Sequence, residues 1–151
     1  LVLGELLWVA FRIGTLATVF VVVLFLFGIP RTPVAVLAVP VAMLIGTAFS
    51  ACLFAFTATQ KNDVGFSAIF RFVINPLFLF SGTFFPLTQL PDQVEWVAWL
   101  TPLFHGVQLV RGLVLGTLDW TAAPIHLGYL LAMLALGVVL ADRLLRRRMA
   151  A

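Results

Sequence analysis

Charge is what this 151-residue sequence has least of: six Asp and Glu with nine Lys and Arg, 10% of the chain, against 63% hydrophobic residues. Soluble domains run at roughly a quarter charged and half apolar, so there is too little polar surface here to coat a water-facing globule. The same balance excludes intrinsic disorder, which needs low hydrophobicity. Cysteine is nearly absent: Cys52 stands alone, which excludes an internal disulfide and a cysteine-rich metal cluster. His105 and His126 are the only histidines, and neither has a ligand-spaced partner, so no metal site is expected. Also missing are GxSxG, HExxH, paired carboxylates inside an apolar run, and a glycine-rich loop ending in Gly-Lys-Ser/Thr. No catalytic residue is assigned and no cofactor is expected to bind this chain; any work driven by a nucleotide has its ATPase elsewhere.

What the sequence has is long apolar runs. A mean hydropathy of +1.16 belongs to an all-α integral membrane protein. The pI near 10.0 would suit nucleic acid, but four of the nine basic residues (Arg143, Arg146, Arg147 and Arg148) form one short C-terminal run. A membrane-surface reading fits that clustering better, and nucleic acid is not an expected partner.

A bilayer core about 30 Å thick takes roughly 20 apolar residues in a helix. On that rule the sequence predicts four spans, at about 6–28, 33–59, 65–85 and 122–141. Arg12 sits near one end of the first and can snorkel to the headgroups. Gly28-Ile29-Pro30-Arg31-Thr32-Pro33 is a breaker cluster suited to a tight turn. Pro40 falls in the outer half of the second span, where a kink is tolerated if neighbours satisfy the freed carbonyl. Gln60-Lys61-Asn62-Asp63 is a polar loop.

Residues 86–119 are too apolar for an aqueous loop and too often interrupted by Pro91, Asp92, Glu95, Pro102, His105, Gln108 and Arg111 for a lipid-exposed span. Pro91 and Pro102 suit first helical turns, and Thr101 suits an N-cap. Two short helices are expected, at about 91–100 and 102–115. His105, Gln108 and Arg111, at three-residue steps, share one broad polar side of the second. Such a pair can dip into a leaflet and return if protein or a wet cavity covers its backbone; the expectation is a re-entrant helical hairpin. Arg111 is expected at the water boundary, against a headgroup, or paired with Asp92, Glu95 or Asp119.

Orientation follows from the positive-inside rule. With four spans and the C-terminal arginines in the cytoplasm, both termini are cytoplasmic. Arg12, Lys61, Arg71, Arg143, Arg146, Arg147 and Arg148 then lie inside, against Arg31 and Arg111 outside, and the hairpin is extracellular. Leu1 is not an initiator methionine and the chain opens almost within a span, so the sequence reads as part of a longer polypeptide, a single transmembrane domain over 1–151.

Three further signals carry both a packing and a functional reading. Asn75-Pro76 sits mid-span, where Pro76 removes one helical hydrogen bond and frees the carbonyl of Phe72; it is either a packing kink or a flexible point. Phe84 and Phe85, before Pro86, are either interfacial anchors or a hydrophobic constriction that closes a pathway by excluding water. Gly46, Ser50, Ala51 and Ala55 give the second span a small face, read as close helix packing rather than a substrate groove. Trp96, Trp99, Trp120 and Tyr129 are read as interfacial anchors.

The stretch Phe78-Leu79-Phe80-Ser81-Gly82-Thr83-Phe84-Phe85-Pro86-Leu87, followed by Leu90-Pro91, Leu100-Thr101-Pro102-Leu103-Phe104-His105-Gly106-Val107 and Arg111-Gly112, resembles the C-terminal signature of ABC-2 type exporter permeases. The likeness is to the subgroup that includes nodulation-factor and daunorubicin-type exporter permeases. Val2-Leu3-Gly4-Glu5-Leu6-Leu7-Trp8 resembles the segment after that family's first cytoplasmic coupling loop. The resemblance implies the third to sixth spans of a six-span permease half, two halves enclosing a pathway, and a separate cytoplasmic ABC ATPase that binds ATP and Mg. The first two spans, the interfacial helix and the main coupling helix of that pattern are not in this sequence. Glu5 and Arg12 would lie near the coupling region, and Lys61 and Asp63 in the second cytoplasmic loop. Asn75, Pro76, Phe84 and Phe85 are the pathway or gate candidates. The expected function is the permease subunit of an ATP-driven exporter in the cell membrane, moving an amphipathic drug, glycolipid or lipid-linked saccharide outward among membrane lipids. The rival readings are a membrane scaffold or assembly subunit with no pathway of its own, and a lipid-acting membrane enzyme, which would need an intramembrane polar cluster that the sequence does not display.

Overall fold

In lipid every backbone N–H and C=O must find a partner within the protein, and helices do this segment by segment. Every regular element of the computed structural model, which describes residues 2–30, 32–60, 64–80, 99 and 101–149, is helical. Helix α1 spans Val2–Leu26. A 3₁₀ turn, Pro33–Leu37, leads directly into α2, Ala38–Thr59. Helix α3, Val64–Ile69, passes through a π-helical turn, Phe70–Ile74, into α4, Asn75–Phe80. Helix α5 is Pro102–Leu115 and α6 is Ala123–Met149. Among the described residues three segments are long and apolar enough to cross a bilayer: Val2–Leu26, Pro33–Thr59 and Ala123–Arg146. Of the expected third span, residues 64–80 are described, and 81–85 lie outside the described residues. So does the expected helix at 91–100, apart from Trp99.

The helix ends follow local chemistry. Helix α1 stops in a Schellman motif: Gly28 takes φ 67°, its N–H donates to the Phe25 carbonyl at 3.0 Å, and the Ile29 N–H donates to the Leu24 carbonyl at 3.1 Å. Helix α5 ends the same way at Gly116, φ 69°, with Thr117 N–H donating to the Gly112 carbonyl at 3.0 Å. Helix α1 is already formed at Val2, ahead of the apolar run that begins near Leu6, and Glu5 lies on it. Helix α6 continues past Ala141 to Met149. Leucine and arginine are good helix formers in water, and Arg146 Nε donates to Asp142 Oδ2 at 2.7 Å one turn back.

Proline is absorbed differently in the two places where it interrupts an apolar run. Pro40 lies just inside α2, and the chain reaches it through the 3₁₀ turn, where the Ala38 N–H bonds the Ala35 and Val36 carbonyls. Pro76 is preceded by the π turn, and the Asn75 N–H reaches back five residues to the Phe70 carbonyl. The widened turn is how this helix meets the hydrogen bond that Pro76 cannot make.

Helix α2 is the centre of the packing. It lies against α1 and α6, while α5 packs on α2 and α6. Ala48, Ala51 and Ala55 of α2 are buried. A Cβ added at Gly137 of α6 would stand 2.8 Å from the Ala51 Cβ and 3.0 Å from the Cys52 backbone nitrogen, so these two helices cross nearly backbone to backbone. Gly46 receives the Ile13 side chain of α1, and Gly14 receives Met43. At one end Val2, Leu6, Ala51, Ala55 and Ala141 close a small core, flanked by Phe54, Leu134 and Val138. Outside these seams the surface is apolar: Leu26 is 81% exposed and Phe11 65%, a surface suited to acyl chains and not to water.

Where α6 starts, Asp119 Oδ1 accepts hydrogen bonds from the Thr121 hydroxyl at 2.6 Å and the Thr121 N–H at 2.9 Å. These two bonds, the hydroxyl's first, hold the Asp119 carboxyl below the usual carboxylate range.

Gly137→Ala lacks room against α2 backbone and is expected to lose about 1–3 kcal/mol in detergent unfolding. Gly128→Ala, with nothing within 4 Å of the added methyl, is expected to change stability by less than about 0.5 kcal/mol. A charged Asp119 is the better acceptor, so the start of α6 stays ordered above the free carboxylate's pKa of about 3.9 and loosens as pH falls through the lower folded value. Amide exchange at Thr121 and Ala122 should therefore accelerate in acid beyond its intrinsic rate, and Asp119→Ala should show the loosened rate at every pH.

Candidate functional site

Helix α5 carries the polar residues of the expected hairpin, and its neighbours sort them by burial. His105 is 2% exposed, Gln108 is half-buried and Arg111 is exposed. The three thus run from a buried edge to an open one. Gly106 lets α5 sit close on α2, since a Cβ there would meet Ile45 at 2.6 Å. Arg111 lies on the rim of a groove of about 370 Å³ whose other walls are Phe20 and Leu24 of α1, Ile45 of α2 and Val110 of α5. On the opposite flank a larger apolar groove of about 520 Å³ runs between α2, α5 and the start of α6, with Trp120 at its lip.

The buried edge holds a cluster that the sequence does not announce. His105 Nδ1 and His126 Nδ1 are 2.6 Å apart, joining α5 to α6, and His105 Nε2 lies 2.8 Å from the Trp99 carbonyl oxygen. Both imidazoles are buried. The Tyr129 ring stacks on His105 with centroids 4.2 Å apart, and Trp99 and Phe104 close the remaining sides. A carbonyl only accepts, so His105 Nε2 carries a proton and donates it to Trp99. Neutral His105 then presents a lone pair on Nδ1, and His126 donates its Nδ1–H to it. Burial pushes His105 below its ordinary value, while the bond to the Trp99 carbonyl pulls the other way. The sequence offers no clue to this pairing: the histidines are 21 residues apart, and equal spacing about the 116–122 loop would set His126 opposite Gly112. Among the described residues no group of three metal-ligating side chains forms.

The other candidates stand apart from this cluster. Asn75 is exposed and Pro76 half-buried, directly after the π turn. Glu5 and Arg12 are exposed on α1, more than a turn apart. Phe84, Phe85, Lys61 and Asp63 lie outside the described residues. Asp119, one expected partner for Arg111, binds Thr121 through Oδ1.

Comparison with known proteins agrees with the helical, apolar architecture. The family model for the ABC-2 type transporter matches residues 2–115. Nodulation protein J of Rhizobium meliloti (strain 1021) is 32% identical over 149 residues, 99% of this chain and 56% of that protein. Its counterparts in Rhizobium leguminosarum bv. viciae and Sinorhizobium fredii (strain NBRC 101917 / NGR234) are 29% and 30% identical over the same share of this chain, covering 57% and 56% of their own lengths. The chain therefore spans a little over half of these relatives. No solved structure matches. A multi-pass arrangement of apolar helices, matched over most of its length by one family model, makes this chain a member of the ABC-2 type transporter family.

Proposed function

We propose that this chain is the transmembrane permease part of an ATP-driven exporter that carries an amphipathic drug, glycolipid or lipid-linked saccharide outward across the cell membrane. The observation that carries the reading is the likeness to nodulation protein J along 99% of the chain. In this reading the chain crosses the membrane four times with both termini cytoplasmic, residues 86–119 form the outer re-entrant hairpin, and a second permease half completes the pathway. ATP and Mg are bound by a separate cytoplasmic ABC ATPase. Its closure on ATP favours one packing of the two halves over another, and the difference in affinity for the two packings is what moves the equilibrium. Glu5, Arg12, Lys61 and Asp63 face the ATPase side. Phe84 and Phe85 narrow the outer end of the pathway. The π turn before Pro76 is the flexible point between the halves of the third span, supported by the five-residue reach of the Asn75 N–H to the Phe70 carbonyl.

The test is to purify the full-length protein with the ATPase encoded beside it, reconstitute the complex in liposomes, and screen amphipathic compounds for stimulation of hydrolysis. A transported compound is expected to raise the ATPase rate several-fold and to accumulate on the outer side. Replacing Phe84 and Phe85 together by Ala should change export by about tenfold while leaving assembly with the ATPase intact. Hydrolysis indifferent to every amphiphile tested would overturn the transport reading, and unchanged export by the double variant would remove the gate assignment.

A further inference from the structure

We infer that His105 and His126 form a proton-binding latch that seats helix α5 on α6 and releases it when both rings become charged. The inference rests on the geometry of the pair and is independent of the transport reading. The Trp99 carbonyl fixes a proton on His105 Nε2. In the neutral pair one further proton lies between the two Nδ1 atoms, which are 2.6 Å apart. The first added proton has a place to go: His126 Nε2 accepts it, and the Nδ1–H···Nδ1 bond survives as a charge-assisted one. The second has none, because it would set two N–H groups nose to nose at hydrogen-bond distance, on rings whose centroids are 4.9 Å apart. The rings must then turn apart, which removes the side-chain bond between α5 and α6 and loosens the seat of α5 there. The pair therefore titrates as a unit in two macroscopic steps.

Burial opposes positive charge on the pair, and opposes a second charge more than the first. Tyr129 of α6 stacks on His105 with the rings 29° from parallel, so its face meets whatever charge the Nδ1–H···Nδ1 bond shares onto that ring. The acidic group that acts on His126 is Asp119 of the loop before α6, and the titratable side chain of α2 is Cys52, a neutral thiol in acid. On α5 itself the charged group is Arg111, six residues from His105 and exposed. Among the described residues α4 and the 3₁₀ turn, which also pack on α5, bring no titratable side chain to the pair.

The experiment uses the full-length protein in lipid nanodiscs with ¹⁵N-labelled histidine. Between about pH 8 and pH 4, the latch predicts two separated steps shared by both rings. A scalar coupling between the two Nδ1 atoms should persist through the first step and vanish in the second. At that second step amide exchange across residues 104–113, corrected for intrinsic rates, should rise about tenfold. His126→Asn places an amide donor where Nδ1 was but cannot charge, so it should keep α5 seated and hold the acid acceleration below about twofold. His126→Phe, similar in bulk but without the bond, should show fast exchange at all pH. Two histidines that titrate independently, with no coupling between their Nδ1 atoms, would overturn the proposal from the unmodified protein alone. Acid acceleration undiminished in a folded His126→Asn protein would overturn it as well.

Discussion

The architecture depends on backbone-to-backbone approach at small residues. Hydrocarbon gives two apolar helices no solvent-driven reason to associate, so packing contact and interhelical hydrogen bonds must hold them. Helix α2 supplies the surface for this, with Ala48, Ala51 and Ala55 buried along it and Gly137 of α6 meeting the backbone at Ala51 and Cys52. The α1 seam works in the same way, through Gly46 beneath Ile13 and Gly14 beneath Met43. With α6 held by that crossing, α5 docks against both helices, through Gly106 on Ile45 of α2 and through His105 on His126 of α6.

The consequence is a division of labour between surfaces. The long helices present apolar faces outward and spend their few small residues on contact with one another. Among the described residues the buried polar side chains gather at the junction of α5 and α6, where two imidazoles and a carbonyl bond one another within a wall of three aromatic rings. Grooves on both flanks of α5 are apolar, with Arg111 on the rim of one. Among the described residues this cluster lies at the start of α5 and the start of α6, away from the middle of the long helices.

Much of this was legible in the sequence. The charge-free runs marked the long helices, Thr101-Pro102 marked the start of α5, and the breaker cluster from Gly28 to Pro33 marked the end of α1, because each is a local signal with a local cause. The small face of α2 could be read as packing because its spacing is helical. The partner of that face, Gly137, could not be read, since a lone glycine in an apolar run has many explanations. Pro76 announced a lost hydrogen bond but not the remedy, a π turn upstream of it. The histidine pair was invisible, because nothing in helical periodicity brings residues 105 and 126 together. Their meeting is decided by the path of the loop between α5 and α6 and by the depth at which α6 crosses α2.

The account as a whole rests on which side of the membrane each part faces, and single-cysteine labelling tests this most directly. In a Cys52→Ala background, Glu95→Cys should react with a membrane-impermeant maleimide added to intact cells. Arg148→Cys should react only after the membrane is opened. Labelling of position 148 from outside, or of position 95 only from within, would contradict the proposed topology and the exporter architecture built on it.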